Sequence, residues 1–191
     1  MIRRIYLAGP DVFLPDAIAV GRSKVALCAA YGFEGLFPLD NEAPPTAGSP
    51  QTVGLQIYRA NRRLMRSADA ILANMTPFRG PSADVGTAFE LGFFAAMERP
   101  IFAYSADLQS YAERTRARLG LVRSAERDAD GHGIERFDLP DNLMLPGAVE
   151  DWGGEWVIAA ETQAPRLAAM AAFEQCLGRL AARFQRSSPT S

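Results

Sequence analysis

The first hundred residues alternate between short β-rich apolar runs and longer stretches of helical periodicity, and few folds accommodate that alternation. Arg3 to Ala8 is a strand pattern ending at Gly9-Pro10, and Asp16 to Tyr31 is a helical pattern closed by Gly32 just past its last turn. Phe33 to Phe37 is a second strand. A Pro-rich loop, Pro38 to Pro50, leads into a helix that runs to about Ser67, with Ser49 as N-cap and Pro50 at its first position. Ala68 to Met75, Ser82 to Met97 and Pro100 to Tyr104 continue as strand, helix and strand. Four strands alternating with three helices predict an α/β fold, a doubly wound, Rossmann- or flavodoxin-like parallel sheet with helices on both faces.

Beyond Asp107 the pattern weakens. A charged helical stretch near Tyr111 to Leu119 is followed by a polar segment to Phe137, so residues 107–138 read as a variable insertion. Trp156 to Phe184 is expected as one long Ala-rich amphipathic helix, interrupted or kinked near Pro165, and Arg186 to Ser191 as a frayed tail. Without an internal repeat or a dividing linker, the 191 residues are expected to form a single domain, 1–191.

Composition narrows the function classes. Hydrophobic residues make up 48% and charged residues 22%, which excludes a disordered chain. Apolar runs such as Ala68 to Met75 and Phe93 to Met97 fall well short of the roughly 20 residues of a membrane span. The start, Met1-Ile2-Arg3-Arg4-Ile5, lacks the apolar core of a secretory signal, so a cytoplasmic location is expected. A net charge of −2 supplies no field for a nucleic-acid polymer. Cys28 and Cys176 lack metal or redox spacing and read as buried structural thiols, and His132, in Asp130-Gly131-His132-Gly133, reads as a loop histidine. No cluster at ligand spacing stands out, and no metal site is expected.

In an open parallel sheet, ligands bind beyond the carboxyl ends of the strands. Three loops there carry unusual residues: Gly9-Pro10-Asp11-Val12-Phe13, Pro38-Leu39-Asp40-Asn41-Glu42 and Thr76-Pro77-Phe78-Arg79-Gly80-Pro81. The third enters a helix holding Asp84 and Glu90 with small residues at Gly86, Ala88 and Gly92, whose two glycines suggest close approach of a ligand or of the sheet. Six positions of an ideal helix place Asp84 and Glu90 about 9 Å apart along the axis and roughly 120° out of phase. Both reach one pocket only if Asp84 belongs to the entering loop or first turn; otherwise it is a helix-start acid and Glu90 a surface residue. Glu90, however, lies among Phe89, Leu91, Phe93 and Phe94, where a solvated glutamate has little room, and a half-buried glutamate in a cleft is a functional candidate. Tyr6 ends the first strand within reach of a hydrogen bond to it. Arg79 fits a loop-edge arginine bridging carboxylates better than a phosphate contact.

The Gly9 to Phe13 loop, the Pro38-Leu39-Asp40-Asn41 turn, Asp84-Val85-Gly86 with Phe89-Glu90-Leu91-Gly92, and Asn142-Leu143-Met144 together resemble the nucleoside 2-deoxyribosyltransferases, over roughly Ile5 to Met144 and in that family's order. The resemblance implies that Glu90 attacks the anomeric carbon of a nucleoside, that Tyr6 orients it, and that Asp84 binds sugar hydroxyls or manages protons near the leaving base. It further implies that Gly9 and Asp40 line the substrate site, that Phe13 packs against the base, and that Glu42 and Asn61 touch it. Asn142 and Met144 would enter from a neighbouring subunit of a homodimer or larger homo-oligomer.

Small nucleosides and free nucleobases would be the partners, with no metal or organic cofactor. Family members commonly carry Gln in place of Glu42 and Asp in place of Asn61; an amide is no general acid, so Asp84 or water would carry the proton step. The alternatives are an N-glycoside hydrolase of the same superfamily and a non-catalytic nucleotide-binding module. The latter would call for a Gly-rich phosphate turn where this chain has a proline and an acid.

Overall fold

The computed structural model describes residues 2–40, 48–158 and 165–185, with side chains throughout except at 40, 165–168 and 185. Its centre is one parallel five-stranded sheet, β1 (Arg4–Ala8), β2 (Glu34–Leu36), β3 (Ala70–Asn74), β4 (Ile101–Ser105) and β5 (Trp156–Ile158), in the order β2-β1-β3-β4-β5. The described helices are α1 (Ala17–Ala30), α2 (Pro50–Ser67), α3 (Val85–Ala96), α4 (Tyr111–Leu119), α5 (Met144–Asp151) and α6 (Pro165–Gln185). The order of strands is the flavodoxin-like one, as the alternation predicts.

Side chains alternate across the sheet and divide the core in two. Ile5, Leu7, Ala70, Leu72, Phe102 and Tyr104 pack on Cys28 of α1 and on Phe173, Cys176 and Leu177 of α6. Tyr6, Ala8, Ile71, Ala73, Ile101 and Ala103 face Met65 of α2, Leu91 and Phe94 of α3, and Val149 of α5. Both strand faces are therefore apolar, as a sheet covered on both sides demands. Both cysteines are buried and unpaired, the role expected of them.

One expectation about the elements needs correction. The stretch from Trp156 is not one helix: Trp156, Val157 and Ile158 form an edge strand whose register against Ala103, Tyr104 and Ser105 is parallel, and α6 begins only at Pro165. Aromatic and β-branched residues favour the pleated sheet, and proline is preorganised for a helix's first turn. Residues 107–158 also hold α5, which buries Val149 on α3 and β4 although Pro146 and Gly147 weaken its helix propensity. Within the insertion, α4 is bounded by a capping box between Ser110 and Glu113 and by Gly120 at φ 66°, and an isolated bridge pairs Arg127 with Gly133. Among the described residues no helix is long and apolar enough to cross a membrane.

Because β2 and β3 flank β1, the chain leaves β1 toward one edge of the sheet and returns at β3 on the other side. This reversal opens a crevice beyond the carboxyl ends of β1 and β3.

Candidate active site

Tyr6, in the middle of β1, is fully buried on the α3 side of the sheet, and its hydroxyl donates to Glu90 Oε1 at 2.6 Å. Glu90 falls on the inward stripe of α3, three residues after buried Thr87 and four before buried Phe94. Its carboxyl is half-buried and is pushed up to about 7. Burial is the main cause, Asp84 adds to it through its negative charge, and the Tyr6 hydrogen bond pulls the other way. Burial and the adjoining carboxylate hold the Tyr6 hydroxyl far above its usual range, so it stays a proton donor in this bond.

Asp84 is the N-cap of α3 and accepts from Thr87 N at 3.1 Å. It belongs to the entering loop, and from there its charge acts on Glu90 despite the helical phase. For Gly86 and Gly92 the structure bears on one of the two readings, close approach of the sheet. A Cβ at Gly92 would meet nothing within 4 Å, and one at Gly86 would meet only the Asp84 carboxylate, so neither glycine marks close approach to the sheet.

The loop after β1 turns at Gly9, whose φ of 152° is paired with close contact: a Cβ there would lie 2.6 Å from Asn74 Cβ. Asn74, ending β3, donates to Asp11 at 3.0 Å, and Asp11 pairs with buried Lys24 at 2.7 Å. Sequence reasoning named Asp11 only as part of its loop and missed Lys24. Lys24 shares the buried face of α1 with Ala17, Gly21 and Cys28, which is the one signal that could have singled it out. Beyond Asp11, Phe13 stacks on Phe78 at 5.2 Å, and the Arg79 guanidinium lies over both rings at 5.1 and 4.6 Å. Among the described residues Arg79 is thus a ring-stacking cation, not the carboxylate bridge expected, and at φ 58° its backbone is left-handed.

Asp40 closes a short 3-10 turn, Pro38–Asp40, and its side chain, like the whole of Glu42, is outside the described residues. Asn61 is half-buried on α2, one turn beyond Tyr58, whose ring approaches Phe89 of α3 at 6.3 Å. Asn142 Oδ1 accepts from Met144 N at 3.2 Å and its amide donates to Glu135, while Met144 is 69% exposed. The pair is therefore held at the surface. An apolar cavity of about 450 Å³ lies against α1, lined by Leu14, Val20, Phe78 and Met170 among others, and does not include Glu90. Hydrogen bonding and a displaced titration, not concavity, distinguish the Tyr6–Glu90 site.

Asp128, Asp130 and His132 bring their ligand atoms within 4.8 Å of one another, a grouping the sequence reading passed over. The three lie on one turn, and Asp128 already accepts from the backbone N–H groups of Asp130 and His132. His132 itself is exposed, as a loop histidine should be.

Comparison with known proteins decides the family. Residues 5–144 match the family model described as nucleoside 2-deoxyribosyltransferase. The chain belongs to this family. It is similar to the solved 2-desoxiribosyltransferase from Leishmania mexicana, with 33% identity, 91% of this chain and 97% of that one covered, and a TM-score of 0.62. An uncharacterised protein of Schizosaccharomyces pombe is 31% identical over 166 residues, 78% of each chain. A conserved protein from Enterococcus faecalis V583 shares the fold at 18% identity and a TM-score of 0.55, covering 96% of this chain and 100% of that one.

Proposed function

We propose that this family member exchanges nucleobases on a 2-deoxyribosyl group through a covalent ester on Glu90. The observation that carries the reading is the 2.6 Å hydrogen bond from Tyr6 of β1 to a half-buried glutamate on α3. Tyr6 fixes Oε1, which leaves Oε2 to attack the anomeric carbon. The C–N bond breaks as the ester forms, its electron pair leaves with the base, and Asp84 or water supplies the proton. A second base then attacks the same carbon through its ring nitrogen and displaces the carboxylate, so two inversions give retention. Because the transition state has oxocarbenium character, the carboxylate first stabilises that charge and then captures it. The mechanism uses no metal or organic cofactor.

Phe13, backed by Phe78 and Arg79, offers a face for the base, and Asp84 reaches the sugar hydroxyls. Gly9, Asp40, Glu42 and Asn61 complete the proposed substrate contacts. Asn142 and Met144 are assigned to the pocket of a neighbouring subunit in a homodimer or larger assembly. Support comes from the exposure of Met144 and from the outer stripe of α3, where Val85 is 85% and Phe89 52% exposed. The assay is incubation with deoxyinosine and free adenine, followed by separation of the products. Formation of deoxyadenosine is expected; release of hypoxanthine with no deoxyadenosine would assign hydrolysis instead.

A further inference from the structure

Two segments that the proposed reaction depends on, the loop bearing Asp84 and the stretch bearing Asn142, meet at one buried pair outside the substrate contacts. Asp141 has no exposed surface. Its Oδ1 accepts from the Ser82 hydroxyl at 2.5 Å and from Asn142 N at 2.8 Å, and its Oδ2 accepts from Ala83 N at 2.9 Å. Arg114, also buried, on α4, stands 3.7 Å from that carboxylate. The same guanidinium donates to the Pro81 carbonyl at 2.7 Å, to the Pro140 carbonyl at 2.5 Å and to the Gln109 carbonyl. Apart from that to Gln109, the contacts thus fall on the residues directly before Asp84, Pro81 to Ala83, and on Pro140, Asp141 and Asn142. Burying two charges is expensive, and well-packed apolar residues hold loops at least as well. What the planar fork and the two-oxygen acceptor add is direction: they fix two backbone segments relative to each other.

We propose that Asp141, clamped by Arg114, is a positioning residue that sets Asp84 and Asn142 together. This rests on the reading that both of those residues meet substrate. An amide at position 141 has Asp's shape but only one acceptor end. Turned either way, its NH2 faces a backbone N–H, that of Asn142 or that of Ala83, and one segment is released. Misplacement of a contacting group by about 1 Å costs on the order of 100-fold in rate.

The experiment is a carbon NMR titration of the Glu90 carboxyl in protein carrying labelled glutamate, with base-exchange kinetics measured on the same samples. Wild type, Asp84→Asn and Asp141→Asn are compared. The titratable groups set against Glu90 are Tyr6 from β1 and Asp84 from the start of α3. Asp84→Asn removes a like charge, so the Glu90 midpoint falls; Asp141→Asn, by displacing Asp84, moves it part of the way in the same direction and lowers kcat/KM by about 10- to 100-fold. A Glu90 midpoint that stays at its wild-type value in Asp141→Asn overturns the proposal, whatever the stability of that variant. Should Asp141→Asn fail to fold, Arg114→Lys, which keeps the charge and loses the fork, is read by the same criterion. The titration needs no substrate. If wild type exchanges no bases, the reading of the reaction falls while the titration still judges the positioning.

Discussion

Tyr104 and Tyr6 are both buried tyrosines of the central sheet, on opposite faces, and each has its hydroxyl against an ionisable side chain. Their surroundings differ in one respect. Around Tyr104, Lys24 donates to the hydroxyl at 2.7 Å, pairs with Asp11 at 2.7 Å and lies over the rings of Tyr104 and Phe173. Asn74 takes up a further position on Asp11, so the cluster is closed and its charge compensated. Around Tyr6, Glu90 has a hydroxyl for a partner and a second carboxylate, Asp84, as its neighbour in charge. A buried charge with a counter-charge holds a loop in place; a half-buried charge beside a like charge is held in a state that a positive transition state relieves.

The comparison breaks most visibly if Glu90 proves dispensable. Glu90→Ala should lower the turnover of base exchange by three or more orders of magnitude, with circular dichroism unchanged, because the covalent route is gone. Substitution on the opposite face should do the reverse. Lys24→Met leaves Asp11 buried without its cation, and urea unfolding should show a loss of about 3–5 kcal/mol. A stable Lys24→Met protein would mean that the Tyr104 cluster is not a structural pair.

Smaller effects sharpen the contrast. Tyr6→Phe removes the one contact that lowers the Glu90 pKa, leaving burial and Asp84 to raise it. The acidic limb of kcat/KM, expected near 7 in the wild type, should therefore move to higher pH, with turnover reduced about 10- to 100-fold. Glu90→Gln should stabilise the protein. The native carboxyl titrates near 7 against an ordinary 4.5, so the unfolded chain loses its proton first, and wild type loses stability as pH rises between those values. Thermal or urea melts should find Glu90→Gln more stable by on the order of 2 kcal/mol above pH 7 and equal to wild type below about pH 4. An advantage that persists at pH 4 would come from packing, not from charge.

Most of the sheet was legible because its signal is local. β1 to β4 and α1 to α3 each carry their own periodicity and end signals, Ser49 and Gly32 among them. β5 was not, because three residues have no period of their own and become a strand by pairing with β4. α5 escaped notice for the opposite reason: Pro146 and Gly147 speak against a helix that is held by packing on α3 and β4. At the site, the aromatic residues around Glu90 and the position of Tyr6 pointed to their contact. Arg114 and Asp141 could not be paired beforehand, since they are far apart in sequence and their partners are largely backbone carbonyls and N–H groups, which one-dimensional spacing does not display.

The central claim, that Glu90 becomes covalently glycosylated, is tested most directly by incubating the protein with a nucleoside and no acceptor base, quenching rapidly, and mapping the adduct by peptide mass spectrometry. A fluorine at C2′ of the nucleoside destabilises the oxocarbenium-like transition state and slows hydrolysis of the ester enough to observe it. The account predicts one deoxyribosyl-type adduct on the peptide containing Glu90, absent from Glu90→Gln. An adduct on another carboxylate, Asp84 above all, or release of the base with the same stoichiometry from Glu90→Gln, would contradict it.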